Sequence, residues 1–392
     1  MVGFRWTGAA VAVVLTAGLA GIPEAGASPA SCRSSVPYAA GDAGYHTFRI
    51  PAVVETKRGT LLAFAEGRHD SAGDTGAIDT VLRRSSDGGC HWGPLSVVTT
   101  SKTGGTAGNP SPVVTANGRV VLLTTHNGPE ATESVIMSGQ ASDAETRRVH
   151  VQYSDNDGRD FSATRDITAD TKAADWRWYA TGPGHAIVLR SGRIVVPANH
   201  SSAPPAGSAD VGTEKKYYGG HAIYSDDGGR NWRIGFTDSE PDGRVNANES
   251  TAAELPDGTV YFNARDQGGS EPGNRVDAYS RDGGRSLTAP YTGRPALAGP
   301  QVQGSVLQTS RPDVLLFSGP SSPDSRAAMR VRVSADGGRS WRDGHPVSPA
   351  PAAYSDLVQL DRRNLGLLYE TGDAGPYEKI VFHRLALAEV AG

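Results

Sequence analysis

Ser85-Ser86-Asp87-Gly88-Gly89-Cys90-His91-Trp92 is the stretch that decides the fold. Its pattern, S-x-D-x-G-x-x-W, suits a tight turn between two strands. The aspartate can bond back to its own backbone, and glycine accepts the positive φ that such a turn requires. The closing aromatic side chain is large enough to pack between neighbouring sheets. The stretch therefore predicts a tight turn between two strands whose aromatic residue packs between neighbouring sheets.

The same pattern recurs four more times along the chain. Residues 225–232 and 334–341 match it in full, residues 154–161 carry Asn156 in place of the aspartate, and residues 280–287 lack the aromatic residue. Successive copies lie roughly 55 to 70 residues apart, a period typical of radially repeated four-stranded sheets. About 350 mature residues divided into blades of roughly 60 give six units. We therefore predict an all-β fold, a six-bladed β-propeller of four-stranded antiparallel blades, one of which has no recognisable copy of the turn.

Composition agrees with a chain of many short strands. Glycine is abundant, with 49 of 392 residues, and short apolar runs alternate with glycine-rich turn signals. The net charge of −4 is spread along the chain with no block of lysine or arginine, so no nucleic-acid partner is expected. No mature segment approaches the roughly 20 apolar residues of a membrane span. We expect one domain, residues 28–392, and a monomer.

The amino terminus is typical of a secretory signal peptide, residues 1–27. Arg5 precedes an apolar segment over residues 9–20, and the small residues 25–27 form a cleavage site. The mature chain would then be secreted; a retained anchor is the alternative, which the short apolar segment disfavours. Cys32 and Cys90 both lie in the mature part, where an oxidising compartment permits pairing. The sequence leaves open whether they form a disulfide.

Residues 45–54, YHTFRIPAVV, hold Arg49 between a bulky residue and Ile-Pro in a strand-like run. A guanidinium fixed in this way suits fork-shaped recognition of a carboxylate. The F-R-I-P wording, the later E-G-R of residues 66–68 and the repeated turns together resemble the bacterial exo-α-sialidases (neuraminidases). In that family the turn motif is the Asp box, and the F-R-I-P arginine binds the substrate carboxylate. The resemblance extends over nearly the whole mature chain.

The loop after Arg68 carries the candidate acid. Asp74 lies in a glycine-rich segment, where a carboxylate can swing over a pocket, and the resemblance implies that it is the acid/base residue. Asp70 and Asp79 are its rivals, interpreted as a solvated turn residue and a strand-end residue. Arg68 itself resembles the family's pocket arginine near the sugar hydroxyls.

A loop, strand, turn and strand over residues 246–266 would place Glu249 and Arg265 at the same end of neighbouring strands. The resemblance implies that Glu249 partners the nucleophile and that Arg265 joins the carboxylate-binding arginines. Glu254 is the alternative to Glu249, but it directly precedes an L-P-D-G turn, which favours the opposite rim. The third arginine falls on Arg326, eight residues before the last box serine, with residues 330 and 332 as competitors on the same strand.

Tyr354, in A-Y-S-D-L, resembles the catalytic nucleophile of the family. Glu370, in G-L-L-Y-E, resembles the carboxylate that orients Arg49. Asn109 and Trp178 match segments near the pocket rim, although a structural role is equally open for each. We expect no metal and no other cofactor, because four of the histidines show no shared ligand spacing. These histidines are His69, His126, His185 and His221.

These residue types fit an anionic sugar whose own carboxylate sits on the anomeric carbon. A carboxylate nucleophile would be repelled there, whereas a neutral phenol would not. Glu249 would take the proton of Tyr354, while Asp74 would protonate the leaving oxygen and then activate water, giving net retention. The expected function is a retaining exo-α-sialidase acting on sialylated glycans, glycoproteins or glycolipids. The alternatives are a trans-sialidase, an intramolecular trans-sialidase, a non-catalytic sialoglycan-binding propeller or another Asp-box glycosidase.

Overall fold

A computed structural model describes residues 1–8, 32–101, 104–239 and 241–392. The chain divides into two compact units, Met1–Ser31 and Cys32–Gly392. The apolar segment and the cleavage site of the expected signal peptide lie outside the described residues. Within the described ranges, no helix is both long and apolar enough to cross a membrane.

The regular secondary structure of the second unit is almost entirely β-strand. In chain order these are β1 (Ser34–Ala39), β2 (Thr47–Glu55), β3 (Leu61–Arg68), β4 (Ile78–Ser85), β5 (Ser96–Thr99), β6 (Thr106–Val114), β7 (Val120–Asn127), β8 (Arg148–Ser154), β9 (Arg165–Asp166), β10 (Trp176–Thr181), β11 (Ile187–Val188), β12 (Ile194–Ser202), β13 (Tyr218–Ser225), β14 (Arg233–Asp238), β15 (Ala247–Glu254), β16 (Val260–Asp266), β17 (Arg275–Ser280), β18 (Thr292–Gly293), β19 (Ser305–Gln308), β20 (Leu315–Pro320), β21 (Ala327–Ser334), β22 (Arg342–Gln359), β23 (Asn364–Thr371) and β24 (Lys379–Ala386). The short helices are α1 (Glu133–Met137), α2 (Thr168–Thr171) and α3 (Leu387–Ala391).

The strands form four sheets, and antiparallel pairing divides these into six sets, which we call blades 1 to 6. One parallel bridge, Ile78 to Thr106, joins blades 1 and 2, and β22 continues from blade 5 into blade 6. Blade 1 is β2–β5, blade 2 is β6–β9, blade 3 is β10–β14 and blade 4 is β15–β18. Blade 5 is β19–β21 with the first part of β22, which pairs with β21 as far as Pro351. Blade 6 is the rest of β22, from Ala352, with β23, β24 and β1. The predicted β-propeller of four-stranded antiparallel blades is thus confirmed as the fold.

The turns between third and fourth strands follow from local chemistry. In blade 1, the Ser85 hydroxyl donates to Asp87 Oδ1 at 2.8 Å and accepts the Gly89 N–H at 2.9 Å. Gly89 has φ +90°, which side-chain-bearing residues rarely adopt. Trp92 packs edge-on against Phe382 of blade 6, with ring centroids 5.5 Å apart. The aromatic residue therefore fills the space between two blades, as the sequence predicted.

Ring closure explains why six blades carry five copies of the turn. In blades 1 to 5, each copy connects the third strand to the fourth. In blade 6, the third strand β24 pairs instead with β1, which comes from the start of the chain. No loop is needed between them, so no turn motif is present. A disulfide, Cys32–Cys90, joins the residues preceding β1 to the turn of blade 1 and so fastens this closure.

A buried carboxylate fastens the blades around the central axis. Asp356, which is fully buried, accepts the Val53 N–H at 2.8 Å, the His185 N–H at 3.0 Å and the Ser305 hydroxyl at 2.8 Å. These partners belong to blades 1, 3 and 5. The His185 ring nitrogen Nδ1 also lies 2.7 Å from Asp356 Oδ1. These four contacts satisfy the buried carboxylate. Because Asp356 lies two residues after Tyr354, they hold this part of blade 6 against blades 1, 3 and 5.

Candidate active site

One face of the propeller carries a polar cavity of about 250 Å³. The first strand of each blade is the one nearest the central axis, and we call it the innermost strand. The cavity lies where the innermost strands begin and the second strands of the blades end. The residues nominated from the sequence that line it are Arg49, Arg68, Asp74, Asn109, Trp178, Glu249, Arg265, Arg326 and Tyr354. Glu370 lies beneath this lining and is fully buried. Residues from six blades, scattered over more than 300 positions of sequence, therefore converge on a single cavity.

Irregular strand pairing turns several of these side chains inward. The pairing register shifts in five of the innermost strands, each time across a residue that lines the cavity: Ile50, Asn109, Trp178, Glu249 and Tyr354. Arg49 directly precedes the first of these shifts and stays paired with Glu66. A β-bulge leaves a residue outside the ladder and changes the direction of its side chain. Pro51 and Pro110 fall within two of the shifts, where no ladder N–H is needed. Proline inside an otherwise regular strand was thus a usable sequence signal for two of the five bulges.

Arg49 is held from behind by Glu370. Its Nε donates to Glu370 Oε1 at 3.0 Å and its Nη2 lies 3.4 Å from Oε2. Ile50 has φ +59°, a strained value for a β-branched residue, and its N–H donates to Glu370 Oε1 at 2.8 Å. The Tyr354 N–H donates to Oε2 at 3.1 Å. One buried carboxylate therefore fixes both the arginine and the backbone of the tyrosine.

Tyr354 and Glu249 form a direct hydrogen-bonded pair. The phenol donates to Glu249 Oε1, and Glu249 Oε2 is paired with Arg265 Nη1 at 2.9 Å. The same Nη1 lies 3.4 Å from the phenol oxygen, while Arg265 Nη2 donates to Asn248 Oδ1 at 2.7 Å. Glu249 and Arg265 lie at the same end of the neighbouring strands β15 and β16. The geometry allows the carboxylate to receive the phenolic proton without any rearrangement.

Three guanidinium groups surround the phenol. The Arg49 Cζ lies 5.1 Å and the Arg326 Cζ 5.7 Å from the centroid of the Tyr354 ring, and Arg265 reaches its oxygen. We call Arg49, Arg265 and Arg326 the arginine clamp. Glu370 and Glu249 pair with the first two, whereas Arg326 has no carboxylate within 4 Å among the described residues. The positive charge of Arg326 is therefore not compensated by a carboxylate, so an anion would be stabilised beside it.

The protonation state of the phenol is set by its surroundings. Burial raises the pKa of Tyr354 above its ordinary value, and the neighbouring Glu249 carboxylate raises this pKa further. The three clamp arginines act in the opposite direction but do not outweigh these effects. The resting phenol is consequently neutral at physiological pH and needs a base to become a nucleophile.

Asp74 lies at the mouth of the cavity, with 77% of its side-chain surface exposed. Its Oδ1 is 2.7 Å from Arg68 Nη1 and 3.6 Å from Arg49 Nη1. Desolvation by the cavity wall raises the pKa of Asp74, but the charges of Arg68 and Arg49 outweigh it and hold this pKa below its usual value. The carboxyl group of Asp74 is therefore ionised at neutral pH.

Arg68 and Asn109 are both positioned by Glu66. Glu66 Oε2 accepts from Arg68 Nε at 3.0 Å and from Nη2 at 2.6 Å, and Oε1 accepts the Asn109 N–H at 2.8 Å. Asn109 has φ +51° and its Oδ1 accepts from Arg147 Nη1 at 3.1 Å. Its amide oxygen thus already holds another side chain of the cavity.

Sequence reasoning missed several cavity residues. Arg147 is buried, donates to Thr125 Oγ1 at 2.6 Å and stacks over the Trp178 ring with its Cζ 4.1 Å from the centroid. Burial lowers the pKa of Arg147 to about 10, so it remains charged at neutral pH. Glu133 of α1 accepts from the Tyr218 hydroxyl, and burial raises the pKa of Glu133. Neither residue belongs to a motif, and their proximity depends on long-range folding.

The alternatives to the nominated residues do not line the cavity. Asp79 accepts from the Tyr45 hydroxyl at 2.8 Å, and Glu254 pairs with Arg190 at the other end of the innermost strands. The remaining rivals are Asp70, Arg330 and Arg332. No group of three or more histidine, cysteine, aspartate or glutamate side chains placed to hold a metal occurs in the ranges that the structure describes.

Comparison with known proteins identifies relatives over most of the chain. The model of the BNR repeat-like domain matches residues 59–368. An exo-α-sialidase from Aspergillus fumigatus is 31% identical over 377 residues, covering 88% of this chain and 85% of its own. A sialidase from Bacteroides fragilis is 30% identical over 356 residues, covering 86% of this chain, which spans 62% of that protein. The solved structure of the Hadza microbial sialidase Hz136 superposes with a TM-score of 0.76 at 26% identity, covering 91% of this chain and 69% of that chain.

Proposed function

The chain belongs to the sialidase family, and from that premise we propose that it is a secreted, retaining exo-α-sialidase. It would release terminal sialic acids from glycans, glycoproteins or glycolipids through a tyrosyl-enzyme intermediate. One observation carries the proposal: a neutral phenol bonded to a carboxylate base lies among three convergent arginines.

The arginine clamp accounts for substrate binding. A sialic acid places a carboxylate on its anomeric carbon, and guanidinium groups bind carboxylates through charge-assisted, often bidentate, hydrogen bonds. Arg326 has no carboxylate partner among the described residues, so the substrate carboxylate would supply its counter-charge. A cavity of about 250 Å³ leaves room for one terminal sugar, which supports an exo-acting enzyme.

The first chemical step would form a bond between Tyr354 Oη and the anomeric carbon. As the phenol attacks, its proton passes to Glu249, to which it is already hydrogen-bonded. The bond to the leaving sugar breaks at the same carbon, and Asp74 donates a proton to the departing oxygen. A tyrosine replaces the usual carboxylate nucleophile, as in sialidases generally, because the substrate already carries a negative charge at that carbon.

Asp74 must be protonated for this step, although Arg68 and Arg49 depress its pKa. Bound substrate would oppose that depression in two ways. The substrate carboxylate neutralises part of the Arg49 charge, and the sugar covers the exposed side of Asp74 and excludes water. Both effects raise the pKa of the carboxyl group. In the second step the ionised Asp74 takes a proton from water, and the water oxygen bonds to the anomeric carbon as the bond to Tyr354 Oη breaks. Glu249 then returns its proton to Tyr354 Oη, which restores the neutral phenol.

Secretion is part of the proposal. The charged and apolar segments of residues 1–27 support export. The Cys32–Cys90 disulfide gives independent support, since such bonds persist in oxidising compartments.

The test uses the purified chain beginning at residue 28 and an aryl sialoside with a fluorescent leaving group. The proposal predicts release of free sialic acid, with the α-anomer appearing first in NMR spectra. A β-anomer as first product would contradict retention. Binding of sialosides without turnover would contradict an enzyme, and exclusive transfer to added lactose would assign the trans-sialidase alternative instead.

A further inference from the structure

Resting on the proposed function, we propose that Tyr377 is a positioning residue of the arginine clamp. It does not line the cavity and would not touch the substrate. Instead, its single side chain contacts two of the three clamp arginines from behind. Through them it would set where the substrate carboxylate binds.

The two contacts use different parts of the side chain. Arg326 Nη1 donates to the Tyr377 hydroxyl at 2.6 Å. The Arg49 guanidinium lies over the Tyr377 ring, with its Cζ 4.0 Å from the centroid. This is closer than the 5.1 Å that separates the same Cζ from the Tyr354 ring. A cation over an aromatic face and a charged hydrogen bond each restrict the orientation of a guanidinium.

Arg326 depends on this contact more than its two companions. Glu370 fixes Arg49 and Glu249 fixes Arg265 through ion pairs of 3.0 Å and 2.9 Å. Besides the Tyr377 hydroxyl, Arg326 donates to the Gln301 carbonyl oxygen through Nη2 at 3.0 Å. Without the phenol, Nη1 would lose its only described protein acceptor, and the Gln301 carbonyl would be the one described hydrogen-bond partner left to orient the guanidinium. Loss of a pre-oriented donor weakens anion binding even where the charge remains.

Hydrogen bonds within the loop that carries Tyr377 restrict the position of this residue. This loop joins β23 to β24, and the carboxylate of Glu378 accepts the N–H groups of Asp373 at 2.9 Å, Ala374 at 2.9 Å and Gly375 at 3.1 Å. The Glu378 carbonyl oxygen accepts the Ala40 N–H at 2.8 Å, which ties the loop to the end of β1. The position of the phenol is therefore fixed by the last blade rather than by the substrate.

The test compares Tyr377→Phe, which removes only the hydroxyl, with Tyr377→Leu, which also removes the ring. Binding of a carboxylate-bearing didehydro sialic acid analogue is measured by calorimetry, and kcat and KM are measured with an aryl sialoside. For Tyr377→Phe we expect Kd and KM to rise about tenfold with kcat nearly unchanged, because the clamp binds ground state and transition state alike. Tyr377→Leu should weaken binding further through Arg49.

A double-mutant cycle shows whether the effect passes through Arg326. In an Arg326→Gln background, Tyr377→Phe should have no further effect on Kd, whereas additive losses would overturn the proposal. Tyr153→Phe is the matched control, because Tyr153 also has an arginine over its ring and another donating to its hydroxyl, but away from the cavity. Unchanged binding in Tyr377→Phe would equally overturn the proposal. A wild-type protein that binds the analogue without hydrolysing sialosides would contradict the proposed function and leave the binding test valid.

Discussion

Replacing Glu370 by glutamine would test how the site is supported. The substitution keeps the size of the side chain but removes its charge and turns one acceptor oxygen into an NH₂ group. Oε1 accepts from Arg49 Nε and the Ile50 N–H, and Oε2 accepts the Tyr354 N–H and faces Arg49 Nη2. Whichever way the amide is turned, one backbone N–H and one arginine N–H lose their acceptor.

The magnitude follows from this count. An orphaned buried donor costs about 1–3 kcal/mol, and removing one partner of a buried ion pair costs about 3–5 kcal/mol in all. We therefore expect Glu370→Gln to lower the free energy of unfolding by about 3–5 kcal/mol, measured by guanidinium denaturation. Displacing Arg49 and the Tyr354 backbone by about 1 Å should lower kcat/KM roughly a hundredfold.

Glu254→Gln provides the matched control. Glu254 also lies near the end of a strand and pairs with an arginine, but Arg190 is largely exposed and the pair lies away from the cavity. Surface pairs of this kind contribute at most about 1 kcal/mol. If Glu370→Gln unfolded at the wild-type denaturant concentration and kept its kcat/KM, the reasoning about this buried carboxylate would be refuted.

Three further predictions concern the nucleophile, the acid and the disulfide. Tyr354→Phe should lose turnover of an aryl sialoside while its circular dichroism and unfolding midpoint stay close to wild type; full activity would remove Tyr354 from the mechanism. Arg68→Gln removes a charge that depresses the pKa of Asp74, so the alkaline limb of the kcat/KM pH profile should move to higher pH; a shift to lower pH would show that another group is titrating. Replacing both Cys32 and Cys90 by serine opens a loop spanning 58 residues and should lower the free energy of unfolding by about 4 kcal/mol; an unchanged midpoint would show that the bond adds no stability.

The fold could be predicted because its signal is local. Each Asp-box turn depends on contacts within a few residues, such as the Ser85 hydroxyl with Asp87 and Gly89. The period of these turns then gives the blade size. The missing sixth turn was not predictable in this way, because it depends on the pairing of β1 with β24 at the far end of the chain.

The candidate site was predictable only in part. The site residues predicted from the sequence belong to recognisable motifs, and in the structure they lie at one cavity. Arg147 and Tyr377 belong to no motif, and they lie near the other site residues only because of how separate blades are arranged. The pairing of Cys32 with Cys90 was left open for the same reason. The local sequence around each cysteine does not determine the distance between them in the fold.

Covalent trapping tests the central claim most directly. Difluorosialic acid can lose fluoride from its anomeric carbon to a nucleophile, and the remaining fluorine slows hydrolysis of the adduct. After incubation and proteolysis, mass spectrometry should find the sialyl group on the peptide that contains Tyr354, with no label in Tyr354→Phe. A label on Glu249 or Asp74 would contradict a phenol nucleophile, and rapid turnover with the β-anomer as first product would contradict a covalent intermediate altogether.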